Sequence, residues 1–464
     1  MSKQTLMSLL LISVIILGGC NSPQSRTNNS EARTPKPDIK YPDMTKQNDT
    51  EVYQTKEVNE PEGIMTLAEA LNFVLANNPK LQVTYLKVRA VEAQKLQASL
   101  LPNPELEIEV EELGGTGERS RFDSSETTVQ IGQLVELAGK RSKRTRLAAF
   151  EKETAELDYR AERLDIVNET VKAFIDILAA QEQLALAEEL VQLSEQAHLA
   201  VVQKVEAGKN APIDQTMSKI ELSNTRIEAE KARSRLISAR NQIAALWGGQ
   251  NPTFEKAAGD FFESADVPEL NQLTEMISQN PNVARWSVEK EKRRAALELE
   301  KARKTSDIRF GGGLQYFNEG DDSSFILSLS IPVPLFDRNQ GNILEATYML
   351  AQTEDNRKTV EIQTRNALAE AVTTLSSAHN EITILKEEVL PSAQEAFNAA
   401  REGYNEGKFE YLVVLDAQRT LYEVSGKYIE ATAKYHKARA DIERLIGRDI
   451  NSVQNLLNSK PDTN

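Results

Sequence analysis

Side chains able to do chemistry are sparse in this chain, and their spacing argues against most reactions. The three histidines, His198, His379 and His436, stand alone on helix-patterned segments, and the seven methionines are scattered. A single cysteine excludes a disulfide framework or a thiolate metal cage. No nucleophile motif, phosphate loop or ligand cluster recurs, so neither an enzyme nor a resident metal or cofactor is expected. What stands out is placed charge. Glu105, Glu107 and Glu109 alternate with Leu106, Ile108 and Val110; Asp214 and Asp416 each follow a Gly-Lys pair; Lys140, Arg141, Lys143, Arg144 and Arg146 form a basic run. The net charge of −15 argues against a nucleic-acid partner and suits a protein that handles cations.

The cysteine is placed for covalent modification. Residues 1–19 carry Lys3 and the apolar run "LMSLLLISVIIL", too short to span a bilayer and patterned as a signal peptide. The run ends in Leu17-Gly18-Gly19-Cys20, which resembles a bacterial lipobox and implies cleavage before Cys20 and lipidation of its thiol. An ordinary signal with an incidental cysteine is the alternative. Asn21, where an inner-membrane retention signal favours Asp, points to the outer membrane. Residues 20–62, rich in Ser, Thr, Asn, Pro and charge, read as a flexible tether.

The elements that must position the charges come in two copies. "LNFVLANNPKLQ" and "LTEMISQNPNVA" each set an apolar helix face before Asn-Pro, 202 residues apart, and Asn as N-cap with Pro at the first helical position starts the next helix. Gly208-Lys209 and Gly407-Lys408 recur at an offset of 199. Behind the later pair, Leu421, Val424, Tyr428, Ala431, Tyr435, Ala438, Ile442 and Leu445 step by 3 and 4 as a coiled-coil seam. Its equivalents, Leu222, Thr225, Ala229, Ala232, Leu236, Ala239, Ile243 and Leu246, keep the seam with one polar position. Before each Gly-Lys turn a long helix is expected, over 140–207 and 342–406, the second containing Pro391. Each would reach roughly 100 Å. In the first, Ala161, Leu164, Val167, Val171, Phe174 and Leu178 form an apolar stripe. The boundaries follow as a first repeat over 63–249, a linker over 250–268, a second repeat over 269–448 and a polar tail over 449–464.

Each copy also inserts two short alternating strands. In the second, Ile308, Phe310, Leu314 and Tyr316 oppose Arg309, Gly311, Gly313 and Gln315, and Phe325, Leu327, Leu329 and Ile331 oppose Ser328 and Ser330. One apolar and one wet face describes a soluble antiparallel sheet as well as a membrane barrel. Beside a lipoprotein signal the barrel becomes the better account. Lipid tolerates no open sheet edge and barrels begin at about eight strands, so several chains must contribute, and three supply twelve.

"LVELAGKR" at 134–141, "IPVPLFDRNQGN" at 331–342 and "GYNEGKFEYLVVLDAQRTLY" at 403–422, in order within the two repeats, resemble the TolC-like outer-membrane efflux channels. The first two look most like the branch serving cobalt, zinc and cadmium resistance pumps, and the resemblance covers about residues 65–450. It implies a mixed, mainly α fold: a tandem repeat of β-hairpin plus long coiled-coil hairpin, trimerising into a 12-stranded outer-membrane β-barrel and a periplasmic α-helical tunnel. It implies a homotrimer working with a periplasmic adaptor and an inner-membrane pump, a passive exit duct without catalysis. A drug-efflux or type I secretion channel of the same fold is the alternative. A periplasmic adaptor has one helical hairpin rather than two, and a coiled-coil scaffold needs no paired strands.

The resemblance also assigns sites. Gly208, Lys209, Gly407 and Lys408 would be the adaptor-docking tips. Tyr404, Leu415, Asp416 and Ala417 match the tip pattern, with Asp416 as a carboxylate ring narrowing the pore alongside Asp214 and Tyr404; Val413 departs from it, and an Asp in a first helical turn also serves as a cap. Lys140, Arg141, Pro332, Pro334, Asp337 and Arg338 would mark the joint between barrel and tunnel. The basic run opposes its own helix dipole and so suits lipid headgroups, or else a solvated face paired with acids such as Glu151. Pro332 and Pro334 cannot continue a ladder, and Asp337 or Asn339 would cap the next helix.

Overall fold

The structure, a computed structural model, describes residues 60–117, 124–250, 252–265 and 267–448. The signal peptide, Cys20, the tether up to residue 59 and the tail from 449 lie outside the described residues.

Each repeat opens on a short helix, an Asn-Pro corner and a longer helix. In the first, α1 (Leu67–Asn77) starts at Thr66, which forms a capping box with Glu69, and α2 (Pro79–Ser99) follows Asn78. The second has α5 (Leu270–Met276), a 3-10 turn (Ile277–Gln279) and α6 (Pro281–Arg303) after Asn280. Both asparagines occupy the expected N-cap and accept from the next helix, Asn78 from Leu81 N at 3.0 Å and Asn280 from Asn282 N at 2.8 Å. Their amides do more than the sequence announced. Asn78 donates to Leu246 O at 2.6 Å, and Asn280 to Arg444 O and Leu445 O, both at 2.9 Å, so each corner also closes the far end of its own repeat's returning helix.

The long hairpins are as expected in place and length. α3 (Lys140–Glu206, 67 residues) returns through α4 (Pro212–Leu246). In the second repeat α7 (Gln340–Ile384), a π-helical turn (Leu385–Val389) and α8 (Leu390–Asn405) return through α9 (Tyr411–Ile446). The π turn lies just before Pro391, which lacks an N–H and crowds the carbonyl four residues back; widening the helix by one residue relieves both. Both return-helix seams are buried or half-buried along their length. The stripe on α3 is a correction of emphasis. Ala161 and Phe174 are buried, and so, off the stripe, are Ile166, Thr170 and Ile177, because α2, α4, α6 and α9 pack α3 on several sides.

Four strands form one antiparallel sheet: β2 (Glu105–Glu111), β3 (Glu126–Val135), β5 (Ile308–Phe317) and β6 (Asp322–Ser330), in the order β2-β3-β5-β6. The two repeats thus meet between β3 and β5. A second, two-stranded parallel sheet of β1 (Gly63–Thr66) and β4 (Phe254–Ala258) was not legible in sequence. The stretch read as a linker carries β4, and it is packed rather than open. Phe254, Ala257 and Phe261 are buried; the Tyr435 hydroxyl donates to Ala265 O at 2.7 Å and accepts from Ala265 N at 2.9 Å; His436 Nε2 meets Phe261 O at 2.7 Å. The end of the tether is held too, with Trp247 Nε1 donating to Glu60 at 3.2 Å.

The long helices pack alongside one another, with α3 contacted on several sides. Toward the four-stranded sheet the order of contact is α2, α3, α6, α7; toward the Gly-Lys turns it is α4, α3, α9, then α7 and α8. One face of α3 carries β4, through Phe174, Leu178 and the paired Gln181–Ala257 hydrogen bonds of 2.9 and 2.8 Å. The opposite face, through Lys172, Asp176, Ala179 and Gln183, lines a concavity of about 1020 Å³ shared with α4, α7 and α9.

Candidate functional site

The sheet separates its side chains as their alternation requires. Paired rows place Leu106 with Ile131, Gly312 and Leu327, and Ile108 with Val129, Leu314 and Phe325, on one face. Among the described residues nothing covers that face: Phe325 and Leu327 are each 90% exposed. Burying one such side chain is worth about 1.5–3 kcal/mol, so exposing this face forgoes a large stabilising contribution. The other face is polar. Glu105 pairs with Arg309 across the sheet, Gln130 Nε2 donates to Glu107 at 2.8 Å, Ser328 Oγ donates to Gln130 at 3.2 Å, and Gln315 Nε2 donates to Glu126 at 2.7 Å. Ile326 is an apolar exception on that face. Gly313 belongs there because a Cβ would overlap the backbone of Val129 and Gln130. Among the described residues the outer strands β2 and β6 each keep one unpaired edge.

The joint between sheet and helices resolves the basic run into two groups. Lys140, largely buried, bonds Asp307 at 2.7 Å, and Asp307 also accepts Leu137 N at 2.9 Å. Arg144 pairs with Glu136 at 2.5 Å and donates to Ala98 O at 2.9 Å and Leu100 O at 3.2 Å. These cations oppose their own helix dipole because they serve the open C-terminal end of α2 and a neighbouring carboxylate; a headgroup role for the whole run, or a pairing with Glu151, is therefore replaced for these two. Lys143 and Arg146 lie near enough to Glu298 to help hold its carboxyl below the usual range, after the leading effect of Lys301. Arg141 is exposed. In the second repeat β6 stops at Ser330, and Pro332 and Pro334 sit in the exposed connection, as a residue without a donor must. Asp337 accepts Asn339 N at 2.8 Å, and Arg338 N donates to Gln340 at 2.8 Å. Asn339 does precede α7, but as a left-handed residue (φ 58°) whose amide donates to Glu300 O at 2.8 Å instead of capping the helix.

At the far end both Gly-Lys turns close by left-handed glycine, with φ 70° at Gly208 and 75° at Gly407. Lys209 N donates to Lys204 O at 2.8 Å and Lys408 N to Gly403 O at 2.7 Å, satisfying the last helical carbonyls. The tips of the two repeats touch. Lys204 Nζ donates to Tyr404 O at 2.8 Å and stands 3.6 Å over the Tyr404 ring. Burial, then the charge of Lys209, pulls the pKa of Lys204 down. Asn210 bridges Asp214 at 3.0 Å and the Tyr404 hydroxyl at 3.2 Å, so Asp214 and Tyr404 are brought together. Asp416 is exposed and outside this network. Close by, Arg419 bonds the buried Glu221 at 2.5 Å, tying α9 to α4, and burial beside Glu221 pushes Tyr411 up to about 12. Lys204, Asn210, Glu221, Arg419 and Gly403 escaped the sequence reading. Gly403 had a signal, its place before "YNEGK": a Cβ there would run into the Phe409 ring.

The histidines hold structure. His198 meets Ser218 Oγ at 2.8 Å, His379 lies 5.9 Å from the Tyr435 ring, and His436 bonds Phe261 O. Among the described residues no three His, Cys, Asp or Glu gather as a metal site, and no helix is long and apolar enough to cross a membrane.

The sequence and the overall fold are both shared with known proteins. The cobalt-zinc-cadmium resistance protein CzcC of Cupriavidus metallidurans is 33% identical over 391 residues, 84% of this chain and 91% of that protein. Among solved structures, a membrane protein from Pseudomonas aeruginosa superposes with a TM-score of 0.71 at 20% identity, over 82% of this chain and 90% of that one. The cation efflux protein CusC superposes with a TM-score of 0.70 at 20% identity, over 89% and 99%. The family pattern named outer membrane efflux protein matches residues 70–249 and 273–448, and the chain belongs to that family.

Proposed function

We propose that three copies of this chain join their sheets into one 12-stranded barrel in the outer membrane and their helix layers into a periplasmic tunnel, forming the passive exit duct of a tripartite efflux system. The observation that carries this reading is the four-stranded sheet, exposed and apolar on one face, polar on the other, with both edges unpaired among the described residues. Such a sheet cannot sit alone in lipid, and copies of it close without edges. The helix layer supports the same closure. Its two margins, α2 and α4 on one side, α7 and α8 on the other, differ, so copies join head to tail into a ring. Unpartnered apolar rows lie on those margins: Val83 and Leu86 on α2, Ile213, Ile220 and Ile227 at seven-residue steps on α4, and Leu344 and Tyr348 on α7.

In this duct the polar sheet face lines the barrel and the four-helix concavity lines the tunnel. Gly208, Lys209, Gly407 and Lys408 present the tips to an adaptor, and an inner-membrane pump supplies the energy. Asp416 reaches the pore as an exposed carboxylate, while Asp214 and Tyr404 hold the tips together. Lipidated Cys20 anchors each copy. The cargo is heavy-metal cations, supported by the likeness to the cobalt-zinc-cadmium resistance protein and by the net charge of −15.

Purified protein in planar bilayers is expected to give cation-favouring conductance and the mass of a trimer; a silent monomer, soluble without detergent after delipidation, overturns the reading. Deletion is expected to sensitise cells to zinc, cobalt or cadmium. Sensitivity to drugs alone would move the cargo from metals to drugs.

A further inference from the structure

We propose that the connection from β6 to α7 is a latch between copies: Val333, Leu335 and Phe336 of one chain seat against Leu100 and Leu101 of the next, sealing the joint between barrel and tunnel. The proposal rests on the ring reading above and names the contact that closes it.

The four joints between sheet and helices are not alike. Those of the central strands are polar or packed, with Lys304, Thr305 and Asp307 before β5, and Glu136 and half-buried Leu137 after β3, locked by Lys140 and Arg144. Those of the two edge strands expose large apolar side chains. Leu100 and Leu101 stand out before β2, and Val333, Leu335 and Phe336 after β6, with Phe336 90% exposed. A lipid-facing belt would need apolar groups at all four joints. A contact between neighbours needs them only at the edges, where they are found.

The two patches also lie on the same, helix-facing side of one row of the sheet. Glu105, Gly132, Gly311 and Ser328 share a row across the sheet. Leu101 precedes that row by four residues at one edge, and Val333 to Phe336 follow it by five to eight at the other, shortened by a tight turn with Leu335 N bonded to Val333 O at 2.9 Å. In a head-to-tail ring the β2 edge of each chain faces the β6 edge of the next, which brings the patches together. The exposed residues are held out by structure: Gln340 Nε2 donates to Phe336 O at 3.2 Å, and Asn339 ties the segment to α6. Disorder does not account for their exposure.

The test is oxidative cross-linking of the full chain carrying Leu101→Cys and Phe336→Cys, with each single variant as background for Cys20. The double variant is expected to give covalent dimers and trimers that the single variants lack. Phe336→Glu is expected to lower the trimer fraction about tenfold at fixed concentration, equivalent to about 1.4 kcal/mol, with helix content unchanged, and adding Leu101→Lys is expected to restore part of it. An intact trimer that does not cross-link overturns the latch alone, as does quenching of a fluorophore on Phe336→Cys by brominated lipid. An unsubstituted chain that stays monomeric overturns the ring and the latch together.

Discussion

At the scale of single residues, the chemistry of this chain is positional. Lys204 illustrates it: its ammonium joins the two hairpin tips through Tyr404, and charged hydrogen bonds of this kind are worth about 1.5–3 kcal/mol. Lys204→Met is therefore expected to loosen the tips, read as larger or more frequent openings in single-channel records, with an unchanged circular-dichroism spectrum. His436 is a second case. Burial, the leading cause, holds its pKa below the ordinary 6.5, against the opposing hydrogen bond to Phe261 O. The unfolded chain takes up a proton that the folded one refuses, so stability is full above about pH 6.5 and falls as pH drops from there toward the folded pKa. The melting temperature should decline as pH falls below about 6.5, and His436→Gln should flatten that decline.

Elements decide which charges are structural. The basic run at the start of α3 reads as one patch in sequence, yet Lys140 and Arg144 face inward to Asp307, Glu136 and the end of α2, while Arg141 faces water. Removing Lys140 strands a largely desolvated carboxylate, so Lys140→Met is expected to cost about 1–3 kcal/mol in urea titration. Arg141→Glu is expected to stay within about 0.5 kcal/mol. Equal effects of the two would refute the division. The π turn before Pro391 and the asparagine corners belong to this scale as well. Each spends a backbone or amide group to fix where one long helix lies beside another, a choice that periodicity along a single helix does not contain.

For the whole molecule, the exposed sheet face sets the decisive comparison. Leu327→Arg puts a charge on the apolar face and is expected to cost about 2–4 kcal/mol of membrane stability if it sits near the midplane, whereas Ser328→Arg, one residue on and facing the polar side, should insert normally. Urea titration of the protein in lipid vesicles checks both, and equal losses would count against a lipid-facing surface. Much of this architecture was legible beforehand. The repeat offset, the 3-and-4 seams, the strand alternation and the Gly-Lys turns are local patterns whose period alone states which face is buried, and Pro332 and Pro334 end a strand wherever they stand. The parallel pair of β1 and β4 was not legible, because its strands lie about 190 residues apart and make sense only against α3. Nor was the division of the basic run, the amides of Asn78 and Asn280 reaching the returning helices, or Asn210 joining Asp214 to Tyr404. By itself the sequence determined which residues are apolar, which can turn and how long each helix runs. Only the tertiary structure decided which charges meet and which strand edges stay open, because both depend on groups brought together from distant parts of the chain.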